Sequence, residues 1–158
     1  MAWPAAPDAL WVTAASAEGD TELNAFDNAL LSAGIGNLNL IKVSSVIPRG
    51  AQILERPPAI PPGTLVPAVY SVHSSAVHGE TISSTVGLGF SEESFGMIFE
   101  HGSGSAESSE RVVREMVAEA FDRRGMELAE IVVRSAEHRV RHVGCTVAAV
   151  VLWWRELS

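Results

Sequence analysis

The stretch Asn37-Leu38-Asn39-Leu40-Ile41-Lys42-Val43-Ser44-Ser45-Val46-Ile47-Pro48 places two adjacent serines inside an apolar, strand-like run. Serine is a poor strand residue, because its hydroxyl group competes for nearby backbone groups. A serine hydroxyl can also attack the preceding carbonyl when the peptide is held and activated. On local sequence alone, Ser44-Ser45 is either a polar strand end before a turn at Pro48 or a reactive peptide bond.

The composition of the whole chain limits its class. The 158 residues fit a single domain, and a hydrophobic fraction of 47% with a charged fraction of 19% argues against disorder. The net charge of −8 disfavours nucleic acid as a partner and is compatible with a cationic substrate. One cysteine, Cys145, excludes an intrachain disulfide framework and suits the reducing cytoplasm.

Neither end of the chain predicts contact with a membrane. The start, residues 1–8, lacks a basic region followed by a long apolar stretch, which is what a signal peptide requires. The longest apolar run, residues 147–154, is much shorter than the about 20 residues that span a bilayer. We therefore expect no membrane association and a cytoplasmic location.

The residue pattern predicts seven strands and two long helices. The helices are expected at residues 22–33 and 107–124, and residues 48–62 are expected to form a proline-rich loop. Besides the serine run, strands are expected at residues 10–15, 64–74, 81–90, 95–101, 128–138 and 145–154. Because strands and helices do not alternate strictly, we expect an α/β sandwich with helices covering the sheet faces.

The predicted helices each have an apolar face. In the first helix, Leu23, Phe26 and Leu30 have the i, i+3, i+7 spacing of one face, and Asp27 falls on that same face. A carboxylate there needs a partner or a solvated cleft, unless it is a rim aspartate that reaches water. In the second helix the predicted buried stripe comprises Val113, Met116, Val117, Ala120 and Phe121.

Glu100 is the second candidate functional carboxylate, because it directly follows the apolar strand residues 96–99. Apolar surroundings favour the protonated form of a carboxyl group, which would suit a general acid; the alternative is an exposed strand-end glutamate. No familiar metal-ligand spacing, phosphate loop or nucleophile elbow is present, so no metal site is predicted. The histidines are scattered at His73, His78, His101, His138 and His142.

From about residue 10 to residue 154, the chain resembles the pyruvoyl-dependent arginine decarboxylases. The segments that carry the resemblance, in order and with matching spacing, are residues 23–37, 39–45, 79–83, 113–116, 137–138 and 144–145. The resemblance implies a four-layer αββα sandwich in one domain over residues 1–158. It also implies self-cleavage between residues 44 and 45, giving a β chain of residues 1–44 and an α chain of residues 45–158.

The resemblance implies how the serine pair reacts. The Ser45 hydroxyl attacks the Ser44 carbonyl, the resulting ester eliminates, and position 45 becomes a covalent pyruvoyl group with release of ammonia. That group is the cofactor: it forms a Schiff base with L-arginine and accepts the electron pair left by carbon dioxide, which yields agmatine. No separately bound cofactor is implied.

The resemblance also assigns roles to other residues. Asn39 matches the asparagine that polarises the scissile carbonyl, Glu100 matches the proton donor, and Asp27 matches the acid that binds the substrate guanidinium. Pocket-lining positions match Leu23, Gly36 and Leu38. The implied assembly is a homotrimer of processed chains or a dimer of trimers, with sites between neighbouring subunits.

Two alternatives remain open at this point. After Glu100 the chain continues His101-Gly102, which departs from the family pattern and leaves open another amino acid as the substrate. The second alternative is that the chain is an unprocessed homologue, which serves as a binding or regulatory subunit. The joint presence of Ser44, Ser45, Asn39 and Glu100 argues against this second alternative, because a binding module does not need them all.

Overall fold

The structure, a computed structural model, describes residues 5–157. The described part of the chain contains nine strands, two α-helices and a short 3-10 helix. In chain order they are β1 (Ala9–Glu18), α1 (Glu22–Ser32), β2 (Asn39–Lys42), β3 (Val46–Ile47), β4 (Gln52–Ile53), β5 (Leu65–Ser75), β6 (Thr81–Phe90), β7 (Gly96–Ser103), α2 (Ala106–Arg123), β8 (Glu130–Arg139), β9 (Gly144–Trp153) and the 3-10 helix Arg155–Leu157.

The strands form two sheets that pack face to face. The first sheet has the order β2-β5-β9-β1-β4, and the second has the order β3-β7-β6-β8. Helix α1 packs on β1, β9 and β5 of the first sheet, whereas α2 packs on β6, β7 and β8 of the second. The molecule is therefore a single α/β domain with four layers in the order αββα, which confirms the predicted fold class.

Strand β9 shows how the layers are built, because it is buried along its whole length. Side chains alternate between the two faces of a strand. Val147, Ala149 and Val151 pack towards α1, whereas Ala148 and Val150 pack towards the second sheet. A single continuous apolar run thus supplies both the outer core of the first sheet and the core between the sheets.

The second sheet meets α2 through a close approach at Gly87 in β6. A Cβ atom at this position would lie 2.1 Å from Cγ1 of Val113, so only glycine lets the helix approach this closely. The predicted buried stripe of α2 is present, except that Met116 is only partly buried. Ser105 caps the helix, since its side chain accepts a hydrogen bond from the backbone N–H of Ser108.

The predicted apolar face of α1 is wrong at Leu23, whose side chain is 75% exposed. The face that contacts the first sheet instead carries Ala25, Ala29 and Leu30. Small residues four positions apart let the helix backbone lie close to the sheet, and this rotates Leu23 away from the core. Thr21 caps the helix by accepting a hydrogen bond from the backbone N–H of Asn24 at 3.1 Å.

The serine run does not form one strand, which corrects the prediction. Its first part becomes β2, which pairs in parallel with β5 in the first sheet. Its second part becomes β3, which pairs antiparallel with β7 in the second sheet. Residues Val43, Ser44 and Ser45 lie between the two strands, so we call them the crossover. Both parts are apolar and extended, so the sequence alone shows no boundary between them. The boundary arises because each part pairs with a strand of a different sheet.

Two further expectations about the strands were wrong. The predicted loop at residues 48–62 contains β4, a short strand that pairs in parallel with the start of β1. Strand β1 continues to Glu18, three residues beyond the predicted end of the strand at residue 15. The described chain therefore has nine strands rather than seven, because short strands gain their pairing from the sheet rather than from their own sequence.

Candidate active site

The crossover holds the Ser44–Ser45 peptide between two anchors. On one side, the backbone N–H of Val43 donates a hydrogen bond to the carbonyl oxygen of Ala68 in β5, at 3.1 Å. On the other side, the N–H of Ile98 in β7 donates to the carbonyl oxygen of Ser45, at 2.6 Å. Ser44 is exposed and Ser45 is half-buried. A break between them would leave each new end attached to its own sheet.

Glu100 lies on the part of β7 that faces the first sheet, because it shares the face of the buried Ile98. Its Oε1 atom lies 3.5 Å from Nζ of Lys42, the last residue of β2. The Lys42 ammonium group also lies 5.1 Å from the centroid of the Tyr70 ring. The surroundings of Glu100 are thus not wholly apolar: a cation from the first sheet faces the carboxylate from the second.

Sequence reasoning missed Lys42 and Tyr70. The signal that was available for Lys42 is its rarity, since it is the only lysine in the chain and ten arginines supply the other basic side chains. Tyr70 is likewise the only tyrosine. Neither count reveals that the two residues meet, because β2 and β5 become neighbours only through sheet pairing.

Asn39 lies at the other end of β2 from the crossover. Its side-chain amide donates a hydrogen bond to the carbonyl oxygen of Gly63, at 2.9 Å. With a rise of about 3.3 Å per residue, the strand separates Asn39 from Lys42 by roughly 10 Å. The structure therefore does not bring Asn39 next to the Ser44 carbonyl of the same chain.

The expected substrate-binding residues form a second group on and after α1. Leu23 lines an open cleft of about 380 Å³ together with Glu22, Phe26, Val72 and Ser74. Asp27 is exposed on the same helix. Gly36 and Leu38 border a separate depression of about 200 Å³ beyond the end of the helix. Within residues 5–157, no hydrogen bond or ion pair joins this group to the serine pair.

Exposed apolar side chains flank the crossover. Ile41 and Val43 on one side are 47% and 37% exposed, and Val46 on the other side is 45% exposed. They belong to or adjoin the short edge strands β2 and β3, whose outer sides have no partner strand in the described chain. The serine pair is therefore part of an uncovered apolar edge.

A second contact between the sheets lies at the other end of β9 and does not touch the serine pair. Nε2 of His138 in β8 donates to the carboxylate of Glu18 in β1 at 2.5 Å, and the backbone N–H groups of His142 and Arg141 donate to it at 2.7 and 3.4 Å. Burial works to raise the pKa of Glu18, but these hydrogen bonds outweigh it and lower the pKa to about 2. We call this arrangement the Glu18 clasp.

The Glu18 clasp also explains Gly144 at the start of β9. A Cβ atom there would lie 2.7 Å from Oε2 of Glu18 and 2.8 Å from Cδ2 of His138, so any larger residue would displace one of these two side chains from the clasp. Across residues 5–157, no group of three or more His, Cys, Asp or Glu side chains is arranged to hold a metal ion. No helix in the same part of the chain has the length and apolar character needed to cross a membrane.

Comparison with known proteins identifies the family. The pyruvoyl-dependent arginine decarboxylase family matches residues 9–156. The protein of that name from Pyrococcus abyssi is 48% identical over 157 residues, which cover 97% of this chain and 99% of the relative. The one from Thermococcus kodakarensis is 46% identical, with 96% and 98% covered. The one from Methanocaldococcus jannaschii is 43% identical, with 94% and 92% covered. The chain therefore belongs to the pyruvoyl-dependent arginine decarboxylase family, whose name denotes a pyruvoyl group as the cofactor.

Proposed function

We propose that this protein is a self-processing decarboxylase that converts L-arginine into agmatine and carbon dioxide. The observation that carries the proposal is the Ser44–Ser45 peptide, which is anchored to a different sheet on each side. Family membership over residues 9–156 and relatives named for arginine decarboxylation support the same activity.

Processing would consume one water molecule and release one ammonia. The Ser45 Oγ atom attacks the Ser44 carbonyl carbon, and the acyl group moves from the Ser45 nitrogen to this oxygen. Loss of the Ser45 Cα proton then expels the Ser44 carboxylate, which keeps the former Ser45 oxygen. Water hydrolyses the resulting dehydroalanine, so nitrogen leaves as ammonia and position 45 becomes pyruvoyl. The Ser45 carbonyl oxygen takes no part, so the hydrogen bond from Ile98 can persist throughout.

The residues around position 45 fit a pyruvoyl group. Ser45 is its precursor, and the Ile98 N–H ties the retained carbonyl oxygen to β7, two residues before Glu100. The group supplies a ketone that condenses with the substrate amine and accepts the electron pair left when carbon dioxide departs. Glu100 then donates a proton to the substrate carbon that has lost carbon dioxide.

The substrate guanidinium would bind Asp27, because a carboxylate and a guanidinium form a strong bidentate pair. Leu23, Gly36 and Leu38 would line the pocket around it. Since Asp27 is exposed and lies in a different group from the serine pair, we propose that a neighbouring copy of the chain supplies it. A homotrimer, alone or as a dimer of trimers, would bring the two groups together.

The apolar edge at the crossover supports such an assembly. Ile41, Val43 and Val46 are exposed around the serine pair, and a neighbouring copy would remove them from water. Asn39, which the family resemblance assigns to the scissile carbonyl, lies at the far end of β2 and has the same need for a neighbouring chain. The assignment of Asn39 to processing is part of this proposal.

The test is decarboxylation by the purified, processed protein across a panel of amino acids. We expect carbon dioxide and agmatine in equal amounts from L-arginine, and a higher kcat/KM for L-arginine than for lysine, ornithine or histidine. A higher kcat/KM for another amino acid would show that this amino acid, and not L-arginine, is the substrate of the same pyruvoyl-dependent reaction. No turnover of any amino acid by fully processed protein would contradict the proposed activity.

A further inference from the structure

Lys42 is the single lysine of a chain that otherwise uses arginine ten times, and it stands three positions before Ser45. Its side chain is 53% exposed, yet it is in contact with both sheets. The Glu100 carboxylate approaches its ammonium group from β7, and the Tyr70 ring approaches it from β5. The chemistry described so far gives Lys42 no role.

The two contacts fix where the ammonium group stands. A long lysine side chain in water samples many rotamers, and a single exposed ion pair orders it weakly. Here the face of the Tyr70 ring attracts the cation from one side while Glu100 attracts it from the other. The ammonium group therefore lies between the two sheets. Lys42 itself is the residue directly before the crossover.

We propose that Lys42 is the positioning residue for the Glu100 carboxylate in the decarboxylation reaction. The inference rests on the proposed function, in which Glu100 donates the proton. The contact reaches Oε1 of Glu100, which leaves Oε2 to carry and donate a proton. Arginine at this position would keep the charge that orients Glu100, but its planar fork tends to engage both oxygens of a carboxylate, so it should restore the positioning only in part.

Lys42 also lies on the other side of the cleavage from its partner. After processing, Lys42 belongs to residues 1–44 and Glu100 to residues 45–158. The contact then joins the two fragments directly beside the break. Loss of the Lys42 charge would leave the Glu100 side chain free to take other rotamers, so the proton donor would point correctly for a smaller part of the time.

The first experiment separates positioning from binding through kcat and KM. Lys42→Met keeps much of the side-chain length and removes the charge, and Lys42→Arg keeps the charge. As a matched control, Arg49→Met removes another exposed positive charge, seven positions further along the chain. In fully processed protein, we expect kcat of Lys42→Met to fall roughly 10-fold while KM stays within about twofold. We expect Lys42→Arg to have a higher kcat than Lys42→Met, and Arg49→Met to match wild type.

Three results of this experiment would overturn the proposal. They are a kcat for Lys42→Met equal to that of Arg49→Met, a raised KM with kcat retained, and no gain from Lys42→Arg over Lys42→Met. Intact mass measured first shows that each variant is processed, so a cleavage defect is not mistaken for a kinetic one. If wild-type protein turned over no amino acid, the proposed function would fail, and the contact itself would still be tested as follows.

The second experiment does not depend on activity. Because Lys42 is the only lysine, labelling with ¹⁵N-lysine gives a single side-chain ammonium signal in the nuclear magnetic resonance spectrum. We expect this signal to lie away from that of free lysine in the wild type, and to move towards it in Glu100→Gln. Tyr70→Leu should also move it, by removing the ring. A wild-type signal at the free-lysine position, or one unchanged in Glu100→Gln, would refute the contact.

Discussion

Within residues 5–157, two contacts between a carboxylate and a basic side chain join the two sheets, and they differ in exposure and in distance. The pair of Lys42 and Glu100 lies at the crossover, with side chains 53% and 25% exposed. The pair of His138 and Glu18 lies at the other end of β9, with side chains 16% and 17% exposed. The first has a separation of 3.5 Å, and the second has one of 2.5 Å.

The partners of the two carboxylates explain what each pair does. Glu18 accepts hydrogen bonds from His138 and from two backbone N–H groups, and Gly144 lets the strands close around it. Such a carboxylate is fully engaged and stabilises the fold. Among the described residues, Lys42 is the cation that contacts Glu100, at Oε1, and the Glu100 side chain is partly exposed, so it has room for a substrate. The comparison predicts that the crossover pair governs activity and the Glu18 clasp governs stability.

The largest effect is expected from Glu100→Gln, which removes the proton donor and keeps the shape of the side chain. General acid catalysis contributes roughly 10²- to 10⁴-fold, so we expect kcat to fall by about 100-fold or more. The free energy of unfolding should change by less than about 1 kcal/mol, because Lys42 is largely exposed and Glu100 is partly exposed, so water screens the pair. Steady-state carbon dioxide release and denaturant unfolding measure the two effects. Full turnover in this variant would remove Glu100 from the mechanism.

The next effect is expected from Gly144→Ala, which adds a methyl group against Glu18 and His138. Overpacking of this kind costs roughly 1–3 kcal/mol of the free energy of unfolding. Because the site of the clash is the Glu18 clasp, turnover per processed chain should stay at the wild-type value. Urea titration and an activity assay on the same preparation provide the two readings. Wild-type stability would show that the clasp tolerates a Cβ atom and is not closely packed.

The smallest effect concerns the pH dependence of stability. The folded-state pKa of Glu18 is lowered from 4.5 to about 2, so its ionised form is favoured by folding. The stabilisation is therefore complete above about pH 4.5 and is lost as the pH falls towards 2. Glu18→Gln should lower stability at neutral pH by about 1–2 kcal/mol and should lose this part of the acid dependence. If the free energy of unfolding fell equally with pH in the variant and the wild type between pH 5 and pH 3, Glu18 would not be the cause of this acid dependence.

Much of the fold was accessible from the sequence because the long elements carry strong periodic signals. The long strands β5, β6 and β9 and the second helix were located to within one or two residues, and the four-layer class followed from the family resemblance. The short strands β3 and β4 were not separated from their surroundings. A strand of two residues has too short a sequence to show a strand pattern. It forms only because a neighbouring strand offers hydrogen bonds.

The candidate site was predictable by residue type but not by arrangement. Ser44, Ser45 and Glu100 are recognisable from motif and position, and the structure brings the serine pair and β7 together. Leu23 was misplaced because helical spacing fixes which residues share a face and not which face meets the sheet. Lys42 was missed because its two neighbours come from strands that are distant in sequence.

The central claim is that the bond between Ser44 and Ser45 breaks itself and turns position 45 into the cofactor. Intact mass measured under denaturing conditions tests it most directly, with Ser45→Ala as the control. The claim predicts two species, residues 1–44 with an ordinary carboxyl end, and residues 45–158 lighter by one ammonia and blocked to sequencing from the N-terminus. Ser45→Ala should give one uncleaved chain. A wild-type chain that stays whole after prolonged incubation, or cleavage in Ser45→Ala at the same bond, would contradict the claim.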